Sequence, residues 1–140
     1  MLVLLNPFSG GGVAKDVWAR LQPLLRPAAL EYVVIHTTHA GHAQEIAGKL
    51  TAGEYDAVIT VSGDGMVNEF VNGLMNRPDG PEFATRMPIF PAPGGTGNGL
   101  FRSVTFKSGE AHDLRESFTR SRKHAQDMLT RTQATPHDAH

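Results

Sequence analysis

Three times between Leu2 and Leu74 an apolar run ends in a turn and is succeeded by apolar positions at helical spacing, an alternation that restricts the chain to a parallel α/β sheet. Leu2 to Leu5 is a continuous apolar run stopped by Asn6-Pro7, as expected of a strand covered on both faces. Ser9-Gly10-Gly11-Gly12 makes the first turn. Val17, Trp18, Leu21, Leu24 and Leu25 then recur at three- and four-residue steps, the stripe of an amphipathic helix that Pro27 brings to an end. Tyr32 to Ile35, the turn near Ala40-Gly41, and Ala43, Ile46, Ala47 and Leu50 form a second unit. Ala57 to Val61, the turn Ser62-Gly63-Asp64-Gly65, and Val67, Phe70, Val71 and Leu74 form a third, closing near Asn76-Arg77-Pro78. Met87 to Phe90 reads as a short fourth strand, and the prolines and glycines of Pro91 to Asn98 call for a shaped loop in place of regular structure.

Units of this kind join by right-handed crossovers, and ligands of such sheets sit outside the carboxyl ends of the strands. The glycine-rich turns at Ser9 to Gly12, Ser62 to Gly65 and Gly94 to Asn98 all fall at those ends, so they are expected to converge on one crevice.

With 140 residues the chain has room for one domain with its own core. Its 40% apolar and 19% charged residues exclude disorder over the whole length. A net charge of -1 and the lack of a basic stripe before the last quarter argue against a nucleic-acid partner. Without cysteine, disulfides and thiolate metal sites are excluded, and a cytoplasmic setting is permitted. Met1 to Pro7 is too short to span a bilayer and lacks the features of a signal peptide. After Leu100 the apolar density falls; residues 1–103 are taken as the α/β unit and 104–140 as a divergent, mobile tail. Leu114, Phe118, Ala125, Met128 and Leu129 offer that tail one weak helical stripe, suited to transient contact with a membrane surface. The sequence carries no sign of oligomeric state.

Ser62-Gly63-Asp64-Gly65 sets one carboxylate between two glycines at a strand end, just before a helix. Free amides there suit anionic oxygen, phosphate above all. An acid beside phosphate needs a task, such as taking a proton from an attacking hydroxyl or binding the accompanying metal; the plainer alternative is a helix cap. Gly94-Gly95-Thr96-Gly97-Asn98 is a second candidate cradle, with the Thr96 hydroxyl as an added donor, and Asn6-Pro7 with Ser9 to Gly12 a third. Neither the Walker lysine loop nor the dinucleotide fingerprint is present. His36, His39 and His42 straddle a strand end, a turn and a helix start with no carboxylate or cysteine evident to complete a metal site. Glu69, one turn into the third helix, is placed to face the crevice.

Taken together, Leu2 to Pro7 followed by glycines, the block Ser62 to Asp79, and Pro93 to Asn98 resemble, in order and spacing, the catalytic domain shared by sphingosine and diacylglycerol kinases. Ser62 as the first residue of the central block, with Val71 to Asp79 following, is closer to sphingosine kinases. The resemblance covers Leu2 to about Leu100 and fades near Phe101-Arg102-Ser103.

It implies a nucleotide-binding parallel-sheet domain of the lipid kinase and NAD kinase type, without the C-terminal β-rich half that holds the lipid. The implied activity is transfer of the γ-phosphoryl group of ATP, with magnesium, to the primary hydroxyl of a sphingoid base, in a cytoplasmic protein peripheral to membranes. Asp64 matches the general base. Asn6, Pro7 and Phe8 match the first nucleotide loop, and Thr37, Thr38, His39, Ala40 and Gly41 a second nucleotide stretch by position, not by residue type. Glu69, Gly95, Thr96 and Gly97 match further ATP contacts, while Ser62, Gly63, Asp64 and Gly65 border the substrate head group. The first loop departs from the family in having no lysine or arginine before Lys15. A catalytically silent nucleotide-binding or interaction module is the alternative, ahead of a diacylglycerol or ceramide kinase or an NAD kinase.

Overall fold

The computed structural model describes residues 1–26 and 30–107. Four strands, β1 (Leu2–Leu5), β2 (Val33–His36), β3 (Val58–Ser62) and β4 (Ile89–Pro93), form one parallel sheet in the order β2-β1-β3-β4. Helix α1 (Val13–Leu25) connects β1 to β2, α2 (His42–Lys49) connects β2 to β3, and α3 (Asp64–Met75) with α4 (Gly80–Arg86) connects β3 to β4; α5 (Gly99–Lys107) comes last. The chain moves outward from β1 to β2, then returns past β1 to β3. That reversal leaves a topological switch point between β1 and β3, where doubly wound sheets open a crevice.

All of β1 and β3 are buried because helices cover both sheet faces. On one face Leu2, Leu4 and Val58 pack beneath Ala43, Ala47, Phe70 and Leu74 of α2 and α3. On the other, Val3, Leu5 and Val61 pack beneath Ala14 and Val17 of α1, with Trp18 edge-on to Tyr32 at 5.6 Å. Helices α2 and α3 touch closely at Gly73, where a Cβ would overlap the Gln44 carbonyl.

Three features differ from the sequence expectation. Strand β4 runs on through Pro91 to Pro93, which the sequence assigned to a loop; as the sheet edge, it tolerates proline without breaking a central ladder. Helix α4 was not foreseen, since its seven residues bury only Gly80 and Phe83 and leave no periodic stripe. Helix α5 crosses the boundary set at 103, ending at Lys107. The remainder of the expected tail, with its stripe from Leu114 to Leu129, lies outside the described residues.

Candidate functional site

Loops following all four strands meet at the carboxyl edge of the sheet around a cleft of about 440 Å³, within the usual range of small-molecule sites. After β1, the Asn6 side chain accepts the Phe8 amide at 3.0 Å, so its oxygen fixes its own turn and only its NH2 group is left for a ligand. Gly10, Gly11 and Gly12 then take φ of 60°, 68° and 101°, a left-handed run that side chains resist. The turn is tied to β3 by a 3.1 Å bond in which the Ser62 hydroxyl donates to that of Ser9.

The loops after β3 and β4 lie against each other. Gly94 donates its amide to the Ser62 carbonyl at 3.0 Å, and Asp64 its amide to Gly97 at 3.3 Å. Asn98 closes the second loop on itself, its side chain accepting the Gly95 amide at 3.1 Å and donating to the Gly95 carbonyl at 2.7 Å. The Asp64 carboxylate reaches across to α5, accepting the amides of Gly99 at 2.8 Å and Leu100 at 3.0 Å. Amides at a helix start lack intrahelical partners, and a carboxylate is their favoured acceptor.

Most residues singled out from sequence share the cleft wall. Asn6 and Phe8 line it from the first loop, Thr37, Thr38, His39 and Ala40 from the segment after β2. Ser62, Gly63, Gly65 and Glu69 line it from β3 and α3, Gly95 and Thr96 from the last loop. Pro7, Gly41, Asp64 and Gly97 are outside the lining: Gly41 starts α2 at φ 87°, Gly97 receives the Asp64 amide, and Asp64 stands beside it on α3. Ser9, Gly10 and Met66 also line the cleft and were not singled out as ligand contacts; Ser9 and Gly10 belong to the recognised glycine turn, whereas Met66 carried no signal.

The charged side chain of the lining is Glu69, with His39 as the titratable base; no lysine or arginine lines the cleft among the described residues. Lys15 stands outside it, its Nζ 6.0 Å from the centre of the Phe8 ring. His39 is tied by Nε2 to Glu45 at 3.0 Å, a carboxylate the sequence had not connected with the histidines, and this bond holds Glu45 below the usual carboxylate range. No group of three His, Cys, Asp or Glu residues suited to a metal ion occurs among the described residues.

A profile of the diacylglycerol kinase catalytic domain matches residues 1–131. Sphingosine kinase 1 of Mus musculus is 43% identical over 110 residues, 78% of this chain and 28% of that protein. Sphingosine kinase 2 of Homo sapiens is 40% identical over 111 residues, 78% of this chain and 17% of that protein. The chain thus spans less than a third of the length of these relatives. A crystal structure of a diacylglycerol kinase from Bacillus anthracis str. Sterne superposes with a TM-score of 0.67 at 27% identity, over 88% of this chain and 41% of that one.

Proposed function

We propose, from the premise that the chain belongs to the diacylglycerol kinase catalytic domain family, that it is the ATP-binding part of a lipid kinase acting on the primary hydroxyl of a sphingoid base. The observation that carries this reading is the convergence of four strand-end loops on one cleft, with Asp64 set between the wall residues Gly63 and Gly65. The sphingoid base as acceptor rests on likeness to proteins named sphingosine kinases.

Phosphoryl transfer asks the protein mainly to position groups and neutralise charge. Amides of the Gly10 loop, with the amide and hydroxyl of Thr96, would cradle phosphate oxygens, the Gly95 amide being held by Asn98, and Glu69 and the Thr37 to Ala40 segment would bound the rest of the nucleotide. Asp64 would accept the proton of the lipid hydroxyl as its oxygen attacks the γ-phosphorus and ADP departs. Each Asp64 oxygen receives one amide and keeps a second lone pair for that task. Magnesium fits such a cleft, since it is held by phosphates, waters and one or two carboxylates in preference to an all-protein cage. Glu69 on the wall, and Asp64 between the wall residues Gly63 and Gly65, are the carboxylates that would hold it. Such an ion would supply neutralisation of the charge on the transferring phosphates.

Calorimetry with millimolar ATP and magnesium tests the binding step: the expected result is weak, saturable heat accompanied by a thermal shift. A folded chain with neither response would overturn the reading. Lipid phosphorylation is tested with this chain joined to the C-terminal half of a sphingosine kinase.

A further inference from the structure

Asn98 immediately precedes α5, and its carbonyl accepts the Arg102 amide at 3.1 Å, the first bond of that helix. It therefore holds the N-cap position, where an asparagine side chain ordinarily accepts the amide two or three residues on. Here the side chain faces the other way. Its Oδ1 accepts the Gly95 amide at 3.1 Å and its Nδ2 donates to the Gly95 carbonyl at 2.7 Å. A donor and an acceptor on one partner residue fix which way the amide group is turned.

The amides that Asn98 leaves go to another side chain. Gly99 and Leu100 donate to the two oxygens of Asp64, and a Cβ on Gly99 would come 3.2 Å from Oδ2, so the carboxylate rests directly on the helix start. The same loop holds the main chain of Asp64, whose amide donates to the Gly97 carbonyl. Asp64 is thus gripped at its backbone and at its carboxylate by one loop, which Asn98 closes. Asn98 itself is half-buried and is not part of the cleft wall, so its effect on a ligand runs through its neighbours.

Resting on the reading of Asp64 as the general base, we propose that Asn98 is its positioning residue: by bonding back to Gly95 it keeps the loop closed and leaves the first amides of α5 to the carboxylate. The competing arrangement is an ordinary cap. In it the side chain at position 98 swings forward, takes the Leu100 amide for itself and frees Asp64 to turn. A reacting group displaced by about 1 Å loses on the order of a hundredfold in rate.

Two substitutions separate positioning from a plain structural tie. Asn98→Ala removes both bonds to Gly95. Asn98→Asp cannot donate to the Gly95 carbonyl, yet a carboxylate is a favoured cap at a helix start, so it competes with Asp64 for the same amides. Asn98→Asp is therefore expected to melt later than Asn98→Ala and still to unseat Asp64.

The first measurement uses the full chain, with circular dichroism to confirm folding, and decides the seating without any turnover. On acidification the amide protons of Gly99 and Leu100 should move upfield together, as protonation weakens the charge-assisted bonds they make. Asp64→Asn should abolish that movement, and so should both Asn98 variants. The second uses the chain joined to the C-terminal half of a sphingosine kinase: kcat should fall about a hundredfold in both Asn98 variants, with KM for ATP unchanged. Amides that still follow Asp64 in both variants overturn the proposal. A kcat loss that only tracks the fraction of folded protein also overturns it. If Asp64→Asn abolishes turnover while both Asn98 variants keep it, this proposal alone falls. Turnover retained by Asp64→Asn overturns the general-base reading together with this proposal.

Discussion

Asp64 and Gly99 are joined across 35 residues by a 2.8 Å hydrogen bond in which the Gly99 amide donates to the carboxylate. Leu100 donates to the other oxygen at 3.0 Å, so one side chain caps α5 from the first turn of α3. An ordinary N-cap accepts asparagine almost as well as aspartate, but here two amides need two acceptor oxygens. Asp64→Asn is therefore expected to lower stability by about 1 kcal/mol, because its NH2 group would face one of the donors. If the residue is also the general base, lipid phosphorylation in the chain joined to a relative's C-terminal half should fall about a hundredfold to ten-thousandfold, with ATP affinity kept. Melting temperature, affinity and turnover measured on one variant separate the roles; retained turnover would leave Asp64 as a cap alone.

Glycines on the cleft wall are expected to respond in opposite ways. A Cβ on Gly95 would overlap the backbone of Gly63, and one on Gly63 would come 2.9 Å from the Gly97 carbonyl. Gly95→Ala should thus lower the melting temperature and lose nucleotide binding with it. Around Gly65, in α3 and on the cleft wall, a Cβ meets nothing within 4 Å. Gly65→Ala should stabilise the helix by about 0.5–1 kcal/mol while weakening ATP binding. A stabilised variant with unchanged affinity would mean that no ligand approaches the backbone there.

How far the sequence discloses the molecule follows from how local each signal is. Runs such as Leu2 to Leu5 and stripes such as Val67 to Leu74 disclose the sheet and its helices, because burial on a fixed period is written into a few consecutive residues. The placing of glycines at strand ends discloses the cleft. Their reason is only partly disclosed: Gly63, Gly95 and Gly10 are held small by neighbouring protein backbone, whereas the residues alone suggested room for a ligand. The contact of Asp64 with α5 left no trace, since it joins segments 35 residues apart that only the fold brings together, and the bond between Glu45 and His39, although only six residues long, depends on the path of the turn into α2.

Thr60, in the middle of β3, is 1% exposed and its hydroxyl finds no partner among the described residues. An unpaired buried hydroxyl typically costs about 1–3 kcal/mol. Thr60→Val keeps the branched shape and removes the polar atom, so it is expected to raise stability by about 1 kcal/mol, read as a later denaturation midpoint at unchanged slope. An earlier midpoint would show that the hydroxyl is satisfied in solution.

Arg77 joins three helices. Its Nη1 donates to the Leu50 carbonyl at 2.6 Å and to those of Ala47 and Gly48 at 3.3 Å, at the end of α2. Its Nε and Nη2 donate to Asp79 at 2.8 and 3.0 Å, and the guanidinium lies 4.5 Å over the Phe83 ring of α4. Arg77→Lys should lower the melting temperature by several degrees, because one ammonium cannot serve carbonyls, carboxylate and ring together. The pair also sets a pH dependence. The bond to Arg77 holds Asp79 below the usual carboxylate range, and Asp79 in turn raises Arg77. A carboxyl lowered by folding contributes stability that is complete above its unfolded value, about 3.9, and is lost as pH falls through the lowered one. Asp79→Asn should consequently be less stable than the unsubstituted chain at neutral pH, with the gap closing on acidification below pH of about 4. A gap that stays constant to low pH would show that the carboxylate charge contributes nothing and that Arg77 acts through the α2 carbonyls alone.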